Sequence, residues 1–427
     1  MSLTSRLQAV CDRRLDRQTV GLRFMLGVLA LSRLALLLWR IPALTGTAIA
    51  HDLRYILDAA RLSDQGLYPY LGFWMEYPPG HPWLAVGVYR AGRWLVAEGA
   101  IEAWFYAAFG VLLVLCEAGT FLLLHAIALQ LHGAQAARRS ALIYLLLTVP
   151  GYVVAGWFDP LPTLLFMAAL YLLLKSRTRW SGLMIGLGIV AKVFPAVLLP
   201  LAFAIARGWR NKLICALIVV ALVGACWLPF LLASPEMTLA SLRNQLGRSS
   251  WETIWALMDG YYGYGMVAPL AEHMDASQAL AANHPSDLPW TQITIFFALA
   301  YAIFYRQAWR IRQPQEIVAA AAFSLHLLLL YSKGYSPQYL LWTAPLLAIL
   351  FPNRRGALYL GWLSLFNLIE LPGYFSFFPE FRPLLILSVV ARTALHALIA
   401  AECLRLAVAP AFWRVTASRT TAPAAAE

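Results

Sequence analysis

Apolar residues run through this chain in long blocks, interrupted by short basic clusters. Ten blocks approach or reach bilayer length: roughly 20–44, 102–132, 140–157, 160–174, 213–233, 290–305, 316–332, 337–352, 356–372 and 384–404. Two further stretches break the pattern. Residues 79–97 are apolar enough to span but contain Arg90 and Arg93. Reading them as a crossing would move Arg138 and Arg139 to the wrong side, so they are read as a helix lying on or dipping into the outer leaflet. Residues 182–206 begin and end beside basic loops and are interrupted at Lys192-Val-Phe-Pro195. Two short helices, one rising and one returning, restore the parity. The pattern predicts an all-α polytopic membrane protein: a bundle of 10–12 crossings with two large loops that contain amphipathic helices.

Composition agrees with the pattern. Of the 427 residues, 61% are hydrophobic and 13% charged, and mean hydropathy is +0.66. Soluble domains carry about 25% charge, so a set of soluble domains is excluded. Disordered chains, disulfide scaffolds and collagen need biases that are missing here. The formal net charge of +12 would suit nucleic acid only on a basic soluble surface, and no soluble domain carries one. The excess reports topology instead. Basic residues concentrate in brief segments such as Lys175 to Arg179, Arg207 to Lys212 and Arg354-Arg355, which places those segments in the cytoplasm. Loops 45–101 and 234–289 hold most of the acids and face out. The resulting organisation is a basic tail at 1–19, a first span at 20–44, the first outer loop at 45–101 and a bundle at 102–233 with the broken pair at 181–207. A second outer loop follows at 234–289, then spans at 290–409 and a tail at 410–427, with both termini cytoplasmic. Five cysteines lack metal-ligand spacing and read as small core residues.

Charge inside an apolar setting is costly and therefore informative. In the first loop, Leu53, Ile56, Leu57, Ala60 and Leu67 recur at helical spacing, which predicts an amphipathic helix ending near Gly66. Asp52 stands at its start, as an N-cap or as a general base at the lipid–water boundary. Asp58 has Arg54 four residues before it and Arg61 three after, the spacing of helical ion pairs. His51, Tyr55, Glu76 and Tyr77 complete that loop's polar set. Asp159 precedes Pro160 between two span ends. Lys192, isolated at the broken helix, needs a partner or an anionic ligand. Lys333 sits in a polar junction, where an ammonium can hold a phosphate as a point charge or snorkel to the interface. Arg243, Arg248, Trp251 and Glu252 set cations and an aromatic together in the second loop, and Gln338 follows Lys333. Aromatics beside polar groups suit sugar faces and interfacial belts equally. There is no phosphate-binding glycine loop, dinucleotide fingerprint or zinc motif.

Taken in order, these residues resemble the GT-C glycosyltransferases that use polyprenyl-phosphate sugars, above all glycosyltransferase family 87. They are also similar to the catalytic subunit of the first mannosyltransferase of glycosylphosphatidylinositol-anchor synthesis. The matching elements are Asp52-Leu-Arg-Tyr55, Asp58-Ala-Ala-Arg61, Gly66-Leu-Tyr-Pro-Tyr70 and Tyr77-Pro-Pro79, then the Asp159 segment, Lys192-Val-Phe-Pro195 and Ser336-Pro-Gln-Tyr-Leu-Leu-Trp342. Where the anchor-synthesis enzymes have Asp-x-Asp, this chain has Ala50-His51-Asp52. Actinobacterial members of family 87 carry a Ser-Trp-x-His-His-like stretch where this chain runs from Lys333 to Tyr339.

The resemblance implies an inverting hexosyltransferase of the bacterial inner membrane, mannose being the implied sugar. Asp52 is then the base, and Lys333, Lys192, Arg243 and Arg248 are candidates for the donor phosphate. His51, Tyr55, Asp58, Glu76, Tyr77, Asp159, Trp251, Glu252 and Gln338 are candidates for the sugar and acceptor. No metal or cofactor is implied. The partners are a polyprenyl-phosphate sugar, a lipid or glycan acceptor and membrane lipids, with no nucleic acid. A lipid-linked sugar flippase and a polyprenyl-diphosphate glycan ligase are the alternative readings.

Overall fold

The computed structural model describes residues 21–40, 51–148, 158–265, 268–309 and 311–408. The side chains of residues 39, 40, 51 and 52 lie outside that description, as do both expected tails and the second half of the block expected at 140–157.

The described residues form helices and no sheet; the only pairings outside helices are two isolated bridges, Pro69 with Phe73 and Trp251 with Gly334. In order the α-helices are α1 (Leu22–Arg40), α2 (His51–Arg61), α3 (Gly80–Leu95), α4 (Ile101–His132), α5 (Ala134–Leu147), α6 (Pro160–Leu174), α7 (Thr178–Ala191) and α8 (Leu198–Ile205). They continue as α9 (Trp209–Ala233), α10 (Pro235–Gly247), α11 (Ile254–Met258), α12 (Trp290–Ala308), α13 (Pro314–Tyr331), α14 (Leu340–Leu350), α15 (Arg354–Leu368) and α16 (Arg382–Val408). Four stretches among the described residues are long and apolar enough to cross a membrane: Glu98–His132, which contains α4, then α9, α13 and α16. Shorter apolar helices stand at Pro160–Leu174, Phe194–Ile205 and Pro337–Leu350. This is a polytopic α-helical membrane protein.

The breaks between short helices have local causes. Lys192 closes α7 in extended backbone (φ −162°, ψ 141°), and a 3-10 turn, Phe194–Val197, leads into α8. Pro195 lacks the N–H that would continue α7, so the chain breaks where the sequence predicts. The carbonyls near the break find partners elsewhere: Tyr305 of α12 donates to the Val197 carbonyl at 3.3 Å and bonds Ser324 of α13 at 2.7 Å.

One large apolar cluster runs through α1, α4 to α9 and α12 to α16. The buried charges at its N-terminal end are paired. Arg33 in α1 bonds Glu117 in α4 at 2.9 Å and the Thr148 hydroxyl at 3.0 Å, and both charged side chains are essentially unexposed. That is the condition under which a bilayer-buried charge survives.

A second apolar cluster gathers α2, α3 and the N-terminal half of α4. Leu53, Ile56, Leu57 and Ala60 of α2 are all under 5% exposed, so the amphipathic stripe faces the protein. Leu53, Ile56 and Leu57 each contribute about 1.5–3 kcal/mol relative to exposure to water. The helix closes through a 3-10 turn at Leu62–Gln65 and ends on Gly66, whose φ of +77° is left-handed and favours glycine. Helix α3 packs on α2, α4 and α7, with Arg90 paired to Asp64 and Arg93 close to Asp64 and Glu98. The two loop regions are locked together. His273 stacks on Trp74 at 3.7 Å, its ring nitrogens contact the Trp74 and Ala268 carbonyls, and the Trp74 amide donates to the His273 carbonyl.

Candidate functional site

The helix break carries the densest chemistry. The Lys192 ammonium lies 2.9 and 3.0 Å from the two carboxylate oxygens of Asp159. Asp159 is 1% exposed and also accepts from the Trp342 indole N–H at 2.5 Å. Asp159 directly precedes α6, and Pro160 suits the first helical position because that residue's N–H would be unused. Lys192 retains 16% exposure, so its charge is paired without being sealed off. Aromatic rings frame it. Its ammonium is 4.9 Å from the Tyr339 ring centre and 5.2 Å from that of Trp342. Trp342 is itself sandwiched between Tyr339 at 3.9 Å and Phe194 at 4.2 Å. A cation over ring faces gains from their negative quadrupole.

A second polar group is linked to the first through Tyr77 and His81, whose rings lie 4.8 Å apart. Tyr55 of α2 donates to Glu76 at 2.8 Å. Burial, reinforced by the Glu76 charge, pushes the Tyr55 phenol well above its ordinary range, so it remains a donor. Glu76 is 3% exposed, and its second carboxylate oxygen has no partner among the described residues. A buried carboxylate oxygen left open is expensive and marks where a ligand hydroxyl would be welcome. Tyr70 donates to the Tyr77 carbonyl, which holds the Tyr-Pro-Pro segment in place. Beyond it, His81 stacks on Phe158 at 3.9 Å. Burial first, and the nearby Lys192 charge second, push the His81 imidazole down to about 3.

The second loop joins the two groups. The Trp251 amide donates to the Lys333 carbonyl and the Tyr335 amide to the Trp251 carbonyl, both at 3.1 Å. This short bridge lays residues 250–253 along the junction after α13. Arg248 sits 4.3 Å over the Trp251 ring, and its charge is felt at both Tyr55 and Tyr339. Glu252 is buried in the same place, with its charge felt at Tyr335 and Tyr339. Gln338, 7% exposed, has a side-chain oxygen without a partner among the described residues.

Gly334 makes the bridge possible, because a Cβ there would overlap the Trp251 indole. Gly334→Ala is expected to cost about 1–3 kcal/mol, as overpacking does, and to lower the unfolding temperature in detergent. An unchanged unfolding temperature would show that Trp251 can swing clear.

The candidates separate in space. Tyr55, Glu76, Tyr77, Asp159, Lys192, Arg248, Trp251, Glu252 and Gln338 belong to or adjoin these two groups. Asp58 instead pairs with Arg54 and Arg61 at 3.2 and 2.8 Å, as its spacing predicts. Arg243 is on the exposed side of α10. Lys333 lends its carbonyl to the bridge, while its ammonium lies 4.7 Å from the Trp290 ring centre. Burial lowers the Lys333 pKa against the opposing influence of Asp259. Asp52 is the second residue of α2, one turn before Tyr55; its side chain and that of His51 lie outside the described residues. Residues not anticipated as part of the site are Phe194, Tyr335, Tyr339 and Trp342. All four flank or fall within elements already singled out, and the signal available was their aromatic character beside an isolated Lys. Among the described residues no three His, Cys, Asp or Glu side chains are grouped to hold a metal.

Residues 77–332 match the sequence model of glycosyltransferase family 87. The chain belongs to that family. The matched stretch contains Tyr77, Asp159, Lys192, Arg243, Arg248, Trp251 and Glu252; Asp52, Tyr55, Asp58 and Glu76 precede it, and Lys333 and Gln338 follow. Among solved structures, the chain is similar to ArnT from Cupriavidus metallidurans in the apo state. Identity is 14% and the TM-score 0.43, over 84% of this chain and 71% of that one. Comparison with curated proteins gives no match. As a family 87 member the protein is a membrane glycosyltransferase, which agrees with the resemblance read from the ordered motifs.

Proposed function

We propose that the protein moves a hexose, mannose by family resemblance, from a polyprenyl-phosphate sugar to a hydroxyl of a lipid or glycan acceptor. The reaction takes place at the extracytoplasmic face of the bacterial inner membrane. The observation that carries this reading is a pair of cations set over aromatic rings, Lys192 over Tyr339 and Trp342 and Arg248 over Trp251, together with the open carboxylate oxygen of Glu76. Such a site offers cations to a phosphate, ring faces to a sugar and an acceptor to a sugar hydroxyl.

In this mechanism the acceptor oxygen attacks the anomeric carbon on the face opposite the phosphate. The bond from that carbon to the phosphate oxygen breaks, and Asp52 takes the acceptor's proton. A β-linked donor therefore yields an α-linked product. Lys192 and Arg248 stabilise the charge that grows on the departing lipid phosphate, where preorganised positive groups act most strongly. Glu76 and Gln338 orient sugar hydroxyls.

A donor panel tests the proposal. Purified protein in lipid is supplied with labelled polyprenyl-phosphate mannose, glucose, galactose or arabinose, or with polyprenyl-diphosphate sugars. Product is expected from a monophosphate donor, with mannose preferred. Product from diphosphate donors alone would replace this reading with that of a ligase. Movement of the lipid-linked sugar across vesicles without product would favour a flippase.

A further inference from the structure

A further buried ion pair reaches the proposed site, and no step of the transfer uses it. Arg392 in α16 is 2% exposed, and Glu370, in the π-helical turn Ile369–Phe377 after α15, is 0% exposed. One terminal guanidinium nitrogen of Arg392 meets the Glu370 carboxylate at 2.5 Å, and the other donates to the Glu252 carbonyl at 2.5 Å. The guanidinium also lies 3.7 Å from the Tyr335 ring centre. Ser388 donates to Glu370 at 3.2 Å, and Asn367 donates to the Pro337 carbonyl at 3.0 Å. The pair and its neighbours thus grip both segments that frame the site, the second-loop edge at Glu252 and the junction leading to Gln338.

Glu252 is the informative point. Its φ is +52°, one of three non-glycine residues in the left-handed region among the described residues. A glutamate there crowds its own Cβ and persists only where the surroundings over-determine it. Here the constraint comes from both sides. Trp251 is held through its amide and carbonyl by Lys333 and Tyr335, and the Glu252 carbonyl is held by Arg392. The φ value sets where the Glu252 side chain leaves the backbone, so whatever fixes that carbonyl aims the carboxylate.

We infer that Arg392 is a positioning residue of the transfer site. By holding the Glu252 carbonyl it maintains the left-handed turn and keeps Arg248, Trp251 and Glu252 in register with Tyr335–Tyr339. The inference rests on the transferase reading above. A purely structural ion pair makes a different prediction, because replacing both partners of a buried pair with apolar residues of similar volume often leaves stability unchanged or improved.

The test is the double variant Arg392→Met/Glu370→Met beside wild type, both as full-length protein in lipid. Unfolding temperature, hydrogen exchange over residues 248–256, and kcat and KM for the donor are measured. The double variant is expected to unfold at the wild-type temperature, to exchange those amides at least tenfold faster and to lose at least tenfold in kcat/KM, mostly through KM. Arg392→Lys keeps the charge opposite Glu370 but cannot span both acceptors. It is to show the same changes and serves if the double variant does not fold. Faster exchange with wild-type kinetics, or altered kinetics with wild-type exchange, overturns the inference. A wild type that transfers from no donor fails the transferase reading, and this inference falls with it. An active wild type matched by both variants fails this inference alone.

Discussion

Asp52→Asn is expected to lower sugar transfer by about 10²–10⁴-fold, the range that a positioned general base supplies. Fold stability should change little. Losing a carboxylate from the first turn costs at most about 1 kcal/mol, and the apolar stripe that docks α2 lies at Leu53, Ile56, Leu57 and Ala60. The measurement is initial rate at saturating acceptor, with the product's anomeric configuration read by NMR. It is paired with thermal unfolding, so that a lost fold is not mistaken for a lost base. Turnover within threefold of wild type would remove Asp52 from the chemistry. The next carboxylate to test would then be Glu76, whose second oxygen has no partner among the described residues. The Tyr55 hydroxyl, kept protonated by burial, donates to Glu76 and fixes the carboxylate in place.

Lys192→Met is expected to be the most damaging single change elsewhere in the site, on two counts. It strands Asp159, 1% exposed, with the Trp342 indole N–H as its remaining side-chain donor in the site. Breaking a fully buried pair costs about 3–5 kcal/mol, and the 16% exposure of Lys192 puts this case at about 3 kcal/mol. It also removes a cation from the proposed phosphate position. The two effects separate in Lys192→Met/Asp159→Asn, which leaves no unpaired charge. That double variant should regain most of the lost unfolding temperature while its donor KM stays at least tenfold above wild type. If donor KM returned to the wild-type value together with stability, Lys192 would be a structural partner of Asp159 and nothing more, and the phosphate would have to be held by Arg248.

How much of this was legible in the sequence follows from the range of each interaction. The Asp58 pairs lie three and four residues away on one helix face, so spacing alone located them. The stripe of α2 and the break at Lys192 are equally local, since each depends on helical periodicity or on one proline. The stripe's destination was not local. Packing against α3 and α4 turned it toward the protein. Isolated charges in apolar spans announced that partners must exist. Arg33, Lys192 and Arg392 each have one, but those partners are 84, 33 and 22 residues away, and no pattern along the chain names them.

The sequence by itself determined that this is a helical membrane protein and that a helix breaks at Lys192. Those properties follow from the cost of placing charge and unpaired backbone in an apolar medium, a cost summed residue by residue. Tertiary structure alone decided that Lys192 meets Asp159 and Trp342, that Asp159 accepts from Trp342, and that Arg392 reaches the Glu252 carbonyl across 140 residues. A helix face offers several polar residues to its neighbours, and which of them meet depends on how the helices cross and pack, a property of the assembled bundle and of no single segment.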